Sequence, residues 1–216
     1  MDQALQEVNQ VNQQLTEAIN KLQPLANNEA LKVARTKLED KINEIIHTEG
    51  MTQQSVNAYQ HAKQEAQAES NLAQALINNG NATDQEISTE IEKVNQKLDN
   101  LSSAINGLTV NKEPLESAKQ QLQNNIDSAP STVGMTKQSV QVYNQKLQAA
   151  KDEINTINNV LANNPNVEAI NTNKATAERI NNELTQAKQA LKVDIQPLKT
   201  AMKNIQTAID AGTNTD

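Results

Sequence analysis

Apolar residues recur along this chain at intervals of three and four. Ala4, Val8, Val11, Leu15, Ala18, Leu22 and Leu25 step alternately by four and three, as do Ile87, Ile91, Val94, Leu98, Leu101, Ile105 and Leu108. A mean spacing of 3.5 residues holds one apolar stripe on one side of a helix and asks for packing with a slight left-handed supercoil. Val140, Tyr143, Leu147, Ala150, Ile154, Ile157 and Leu161 follow the same rule. In the earlier copy of that segment Lys63 and Ser70 occupy two of the seam positions. A seam broken in this way predicts that the earlier module is the less stable of the two. No strand-like alternation of useful length appears. Spacing and punctuation together predict eight helices, at about 3–23, 29–48, 52–78, 84–107, 112–128, 136–162, 167–191 and 195–211.

The punctuation is specific at several points. Thr83-Asp84-Gln85-Glu86 reads as a capping box, with hydroxyl and carboxylate each satisfying a free backbone N–H. Asn164 before Pro165 reads as an N-cap with proline at the first helical position, and Asn111 ahead of Pro114 reads similarly. Gly50, Gly80, Gly107 and Gly134 fall at or just beyond helix ends, where a left-handed residue can close the last turn. Ser128-Ala129-Pro130-Ser131-Thr132 is the clearest loop.

The helices repeat in a fixed order. Met51-Thr52-Gln53-Gln54-Ser55-Val56 with Tyr59 returns 84 residues later as Met135-Thr136-Lys137-Gln138-Ser139-Val140 with Tyr143. Pro114-Leu115 with Ala118, Leu122 and Ile126 returns 83 residues later as Pro197-Leu198 with Ala201, Ile205 and Ile209, and an earlier copy reads Leu31, Ala34, Leu38 and Ile42. A third element pairs Val11, Leu15 and Ala18 with Val94, Leu98 and Leu101, then with Ile180, Leu184 and Ala187. The expected fold is therefore all-α: tandem three-helix bundles with heptad-type seams, forming an elongated rod. Either a short, long and heptad helix form one bundle in that order, or the heptad helix opens each bundle.

Composition narrows the chemistry. Trp, Phe and Cys are absent and only Tyr59 and Tyr143 are aromatic, so the core must be thin and built from Leu, Ile, Val and Ala. Asn and Gln make up 55 of 216 residues, a polarity that helices and their caps tolerate. A net charge of -7 removes the electrostatic drive toward nucleic acid. No apolar run is long enough to span a membrane, and without Cys there are neither disulfides nor thiol chemistry.

His47 and His61, the only histidines, read as helix-surface residues rather than a metal or acid–base pair. Glu86, Glu90, Glu92, Asp152 and Glu153 read as a solvated face, since nothing places them in an apolar pocket. Tyr59 and Tyr143 could anchor a partner, but their seam positions favour packing. No phosphate loop or nucleophile motif occurs, so we expect no enzyme, no catalytic residue, no cofactor and no metal.

The order of short helix, Met-Thr-x-x-Ser-Val-x-x-Tyr, long helix, Asn81-Ala82-Thr83-Asp84-Gln85-Glu86-Ile87 and heptad helix resembles the FIVAR module. Leu31 to Leu108 and Leu115 to Leu191 carry the match, with Asn164-Pro165-Asn166-Val167-Glu168 replacing the Asn-Ala-Thr turn in the second copy. The Asn/Gln-rich texture is similar to that of the giant extracellular-matrix-binding surface proteins of staphylococci. This resemblance implies two complete modules, 25–109 and 110–192, flanked by the last helix of a preceding module (1–24) and the first of a following one (193–216). It implies a bacterial cell-surface location, with export and anchoring signals outside this stretch, and adhesion in settings such as biofilm. It further implies fibronectin or another matrix protein as partner, met by weak multivalent contacts of a monomer. Two other readings stay open: a spacer without a ligand, and an albumin- or immunoglobulin-binding helical module, although such modules are usually shorter than an 83- to 84-residue repeat.

Overall fold

The computed structural model describes residues 2–21 and 27–212, and eight helices lie among them. They are α1 (Asp2–Lys21), α2 (Glu29–Asn43), α3 (Gln53–Ile77), α4 (Asp84–Asn106), α5 (Glu113–Asp127), α6 (Lys137–Ala162), α7 (Val167–Gln189) and α8 (Gln196–Gly212). Leu22 and Leu25 of the first seam, and the expected boundary at 24/25, fall outside the described residues.

Two compact units divide after Thr109. Within the first, α2, α3 and α4 each pack on the other two, and within the second α5, α6 and α7 do the same. The grouping is thus short, long, heptad. Each core is a column of small and medium aliphatics with a single tyrosine. In the first unit Leu31, Leu38, Ala66, Val94 and Leu101 are fully enclosed, and Leu115, Leu122, Ala150, Ala177 and Leu184 are their counterparts in the second. Burying such side chains contributes about 1.5–3 kcal/mol each for the larger aliphatics. α1 and α8 have the same kind of stripe, but Leu5, Val8, Val11 and Leu15, like Leu198, Met202, Ile205 and Ile209, are all more than half exposed.

Helix ends follow local chemistry more closely than the stripes do. The expected helix 29–48 stops at Asn43, because Glu44 takes an extended ψ of 137°. Ile46 then packs on the core while Ile45 stays 85% exposed, so the heptad stripe ends at Ile42. The N-cap of α7 is Asn166, whose side chain accepts from Ala169 N at 2.8 Å, and not Asn164. Asn164 instead takes a left-handed φ of 46°, which turns the chain ahead of the buried Pro165. Asn111 accepts from Glu113 N at 3.1 Å, but the residue at the cap position is Lys112. Only Gly50 and Gly134 of the four glycines are left-handed, at φ 76° and 73°. Each sits third in a four-residue turn closed by Met51 N to Thr48 O or Met135 N to Thr132 O, a position that favours positive φ. Gly107 closes α4 with an ordinary helical φ of −83°.

Candidate functional site

The repeated Met-Thr-x-x-Ser-Val-x-x-Tyr segment is the most distinctive sequence feature, and its geometry explains its threonine and its serine. Thr52 caps α3 by accepting from Ser55 N at 3.4 Å. The Ser55 hydroxyl donates to Thr52 O at 3.0 Å and accepts from Thr109 N at 3.2 Å. Thr52 N in turn donates to Thr109 O at 2.7 Å. The second copy repeats this bond for bond: Ser139 donates to Thr136 O at 3.0 Å and accepts from Lys192 N at 3.2 Å, while Thr136 N reaches Lys192 O at 2.7 Å. Met135 and Val193 extend it as an antiparallel bridge, with Asp194 N on Gly134 O at 2.8 Å. The motif is a clasp between the entry to each long helix and the exit from the heptad helix of the same unit.

Tyr59 and Tyr143 are 7% and 2% exposed, so both serve the cores and offer nothing to a partner. The Tyr143 hydroxyl has no hydrogen-bond partner among the described residues, and burial pushes its ionisation upward. Lys63 lies over the Tyr59 ring, 5.9 Å from its centre, which fills a seam position with a cation–π contact. Ser70, the other interruption, is fully enclosed: its hydroxyl donates to Glu39 at 3.2 Å, and Arg35 donates to its carbonyl at 3.1 Å.

The acidic residues divide. Glu86 lies in the capping box, accepting from Thr83 N at 2.8 Å, and that bond holds its carboxyl below the ordinary 4.5. Glu90 and Glu153 are not on a solvated face; they are 6% and 8% exposed, between helices. Glu69, which the reading of the sequence passed over, is 8% exposed. Desolvation raises the pKa of Glu69 and of Glu153 above 4.5. A signal was available: Glu69 and Glu153 stand 84 residues apart, at the same place in the repeat.

His47 is exposed in the loop after α2, and His61 is exposed with its Nδ1 3.9 Å from Glu65. Among the described residues no group of three or more potential metal ligands converges, and no helix is long and apolar enough to cross a membrane. Other polar contacts tie helices together. Asn125 donates to Asn181 Oδ1 at 2.8 Å and Thr185 at 2.9 Å; Lys188 reaches the Asn125 and Ser128 carbonyls, and its burial lowers its pKa. Lys97 meets Glu65 at 3.3 Å across α3 and α4, and Lys146 meets Glu183 at 2.8 Å across α6 and α7. The exposed large apolar residues of the two units include Val33, Leu72 and Val142.

The FIVAR domain matches this chain over residues 34–109 and 118–192. The chain is similar to extracellular matrix-binding protein EbhB of Staphylococcus aureus strain Newman, at 48% identity over 212 residues, which is 98% of this chain and 3% of that protein. Extracellular matrix-binding protein ebh of strain NCTC 8325 / PS 47 is 48% identical, and that of strain MW2 49% identical, over 98% of this chain and 2% of each relative. The chain therefore spans only 2–3% of the length of these relatives. No solved structure matches it.

Proposed function

We propose, because this chain belongs to the FIVAR domain family, that it is a repeat segment of a bacterial surface protein that adheres to extracellular matrix. The observation that carries the reading is the 48% identity across 98% of the chain to proteins named for matrix binding. Fibronectin is the first partner to test. The reading assigns no reaction and no cofactor: the chain works by contact. With both aromatic residues buried, the outer faces lack the desolvated anchors that give tight monovalent binding, so we expect a dissociation constant of roughly micromolar or weaker.

In the same reading α1 and α8 are the third and first helices of neighbouring modules in a longer protein. Register supports this: α1 has the stripe of α4, and α8 has that of α2 and α5. The start of α8 supports it too. Asp194 accepts from Gln196 N at 2.9 Å, as Asn27 does from Glu29 N at 3.0 Å and Asn111 from Glu113 N at 3.1 Å.

The burial of both tyrosines also favours a second reading, a spacer with no ligand of its own. A biosensor panel of immobilised fibronectin, other matrix proteins, albumin and immunoglobulin separates them. Capture by a matrix protein supports adhesion. Capture by albumin or immunoglobulin alone would overturn it, and binding to none leaves the spacer.

A further inference from the structure

We propose that the contact between Glu69 and Glu90 makes the α3–α4 seam of the first module a proton-sensitive joint, tightened when Glu69 is neutral and loosened when it is charged. Both residues are more than nine-tenths buried, one on each of the two packed helices, and Glu90 acts on the Glu69 carboxyl. Glu69 Oε1 and Glu90 Oε1 have no hydrogen-bond donor among the described residues. Two carboxylates side by side repel, whereas one proton between them turns the contact into a hydrogen bond.

The surrounding charges do not remove the conflict. From α4, Lys93 pairs with Glu90 Oε2 at 3.2 Å but is half exposed, and Lys97 is engaged by Glu65 of α3. From α2, Arg35 and Glu39 bind each other and the backbone and hydroxyl of Ser70. Burial is the largest cause raising the Glu69 pKa, followed by the Glu90 side chain and its charge; Lys93 and Lys97 pull the other way. The second module has only half of this arrangement. Glu153 repeats Glu69, but the residue 83 positions after Glu90 is Asn173, whose amide donates to Ala169 O at 2.8 Å.

The sign follows from linkage. A carboxyl whose folded pKa is raised stabilises the fold fully below its ordinary value of 4.5, and that stability is lost as pH rises through the raised folded value. Glu69→Gln, which keeps the shape of the neutral acid, should therefore stabilise the first module near pH 7.5 and leave it unchanged near pH 4.

The composition supplies a local reporter. In a Tyr143→Phe background of the full chain, Tyr59 is the sole tyrosine, so its fluorescence follows the first module alone. We expect Glu69→Gln to raise that melting temperature by about 4 °C at pH 7.5, with the gain gone by pH 4. Glu153→Gln should not move the Tyr59 signal. A carbon-13 titration of the unaltered chain should place the Glu69 carboxyl above 4.5. Equal effects of Glu69→Gln at both pH values, or a Glu69 carboxyl titrating at or below 4.5, would overturn the proposal.

Discussion

Tyr143 sits in the second core with a ring that packs and a hydroxyl without a hydrogen-bond partner among the described residues. Removing the ring and removing the hydroxyl should therefore have opposite consequences. Tyr143→Ala empties one of the few large seam positions and should cost the second module about 2–4 kcal/mol in denaturant unfolding. Tyr143→Phe removes only an unsatisfied buried group and should be neutral or slightly stabilising. A loss on Tyr143→Phe comparable to that of Tyr143→Ala would reveal a hydrogen bond that the packing does not provide. The burial of both tyrosines was legible in the sequence, because each lies three residues after a seam valine. The buried carboxylates of Glu69 and Glu153 were marked only by their recurrence at one place in the repeat, and not by the heptad spacing. Heptad arithmetic asks where apolar residues recur, and Glu69 and Glu153 occupy positions beside the stripe that become enclosed only when a neighbouring helix closes over them.

Among the elements, the clasp at each long-helix entry is the clearest case of sequence turned into architecture. Ser55 spans a helix start and a chain exit 54 residues apart, so Ser55→Ala should leave Thr109 N without its acceptor and cost about 1–2 kcal/mol in thermal melting. Ser139→Ala should cost less, since its bond to the Lys192 amide is more exposed than that of Ser55 to Thr109. Recurrence of the motif could be read directly, but its partner strand could not, because no side chain of Thr109 or Lys192 takes part. Helix ends were legible where a full capping motif marks them, as at Thr83, and misread where backbone turning shifts them, as at Asn43 and Asn164. Among the described residues α1 and α8 pack on no other helix, and most helical stability comes from such packing, so amide exchange in them should outpace that in α2 to α7. Equal protection throughout would mean that α1 and α8 find partners in solution.

For the molecule as a whole, the two modules repeat one plan with unequal seams. Where the second has Leu147 and Ile154, the first has Lys63 and Ser70 and buries a carboxyl pair beside them. Unfolding followed separately through Tyr59 and Tyr143 should find the first module melting at the lower temperature near neutral pH; the reverse order would show that its polar network more than offsets the lost aliphatic burial. This two-module chain matches only 2–3% of the length of the relatives named above, and proposed weak adhesion makes sense only on the scale of a much longer protein. Tethered copies turn later contacts into intramolecular ones, so avidity can exceed single-site affinity by about 10²–10⁴. The most direct test is the dissociation of monomeric and artificially multimerised chain from densely coated fibronectin. The proposed function predicts fast release of the monomer and retention of the multimer, longer by about 10²-fold or more. A multimer that leaves coated fibronectin as fast as the monomer would contradict it.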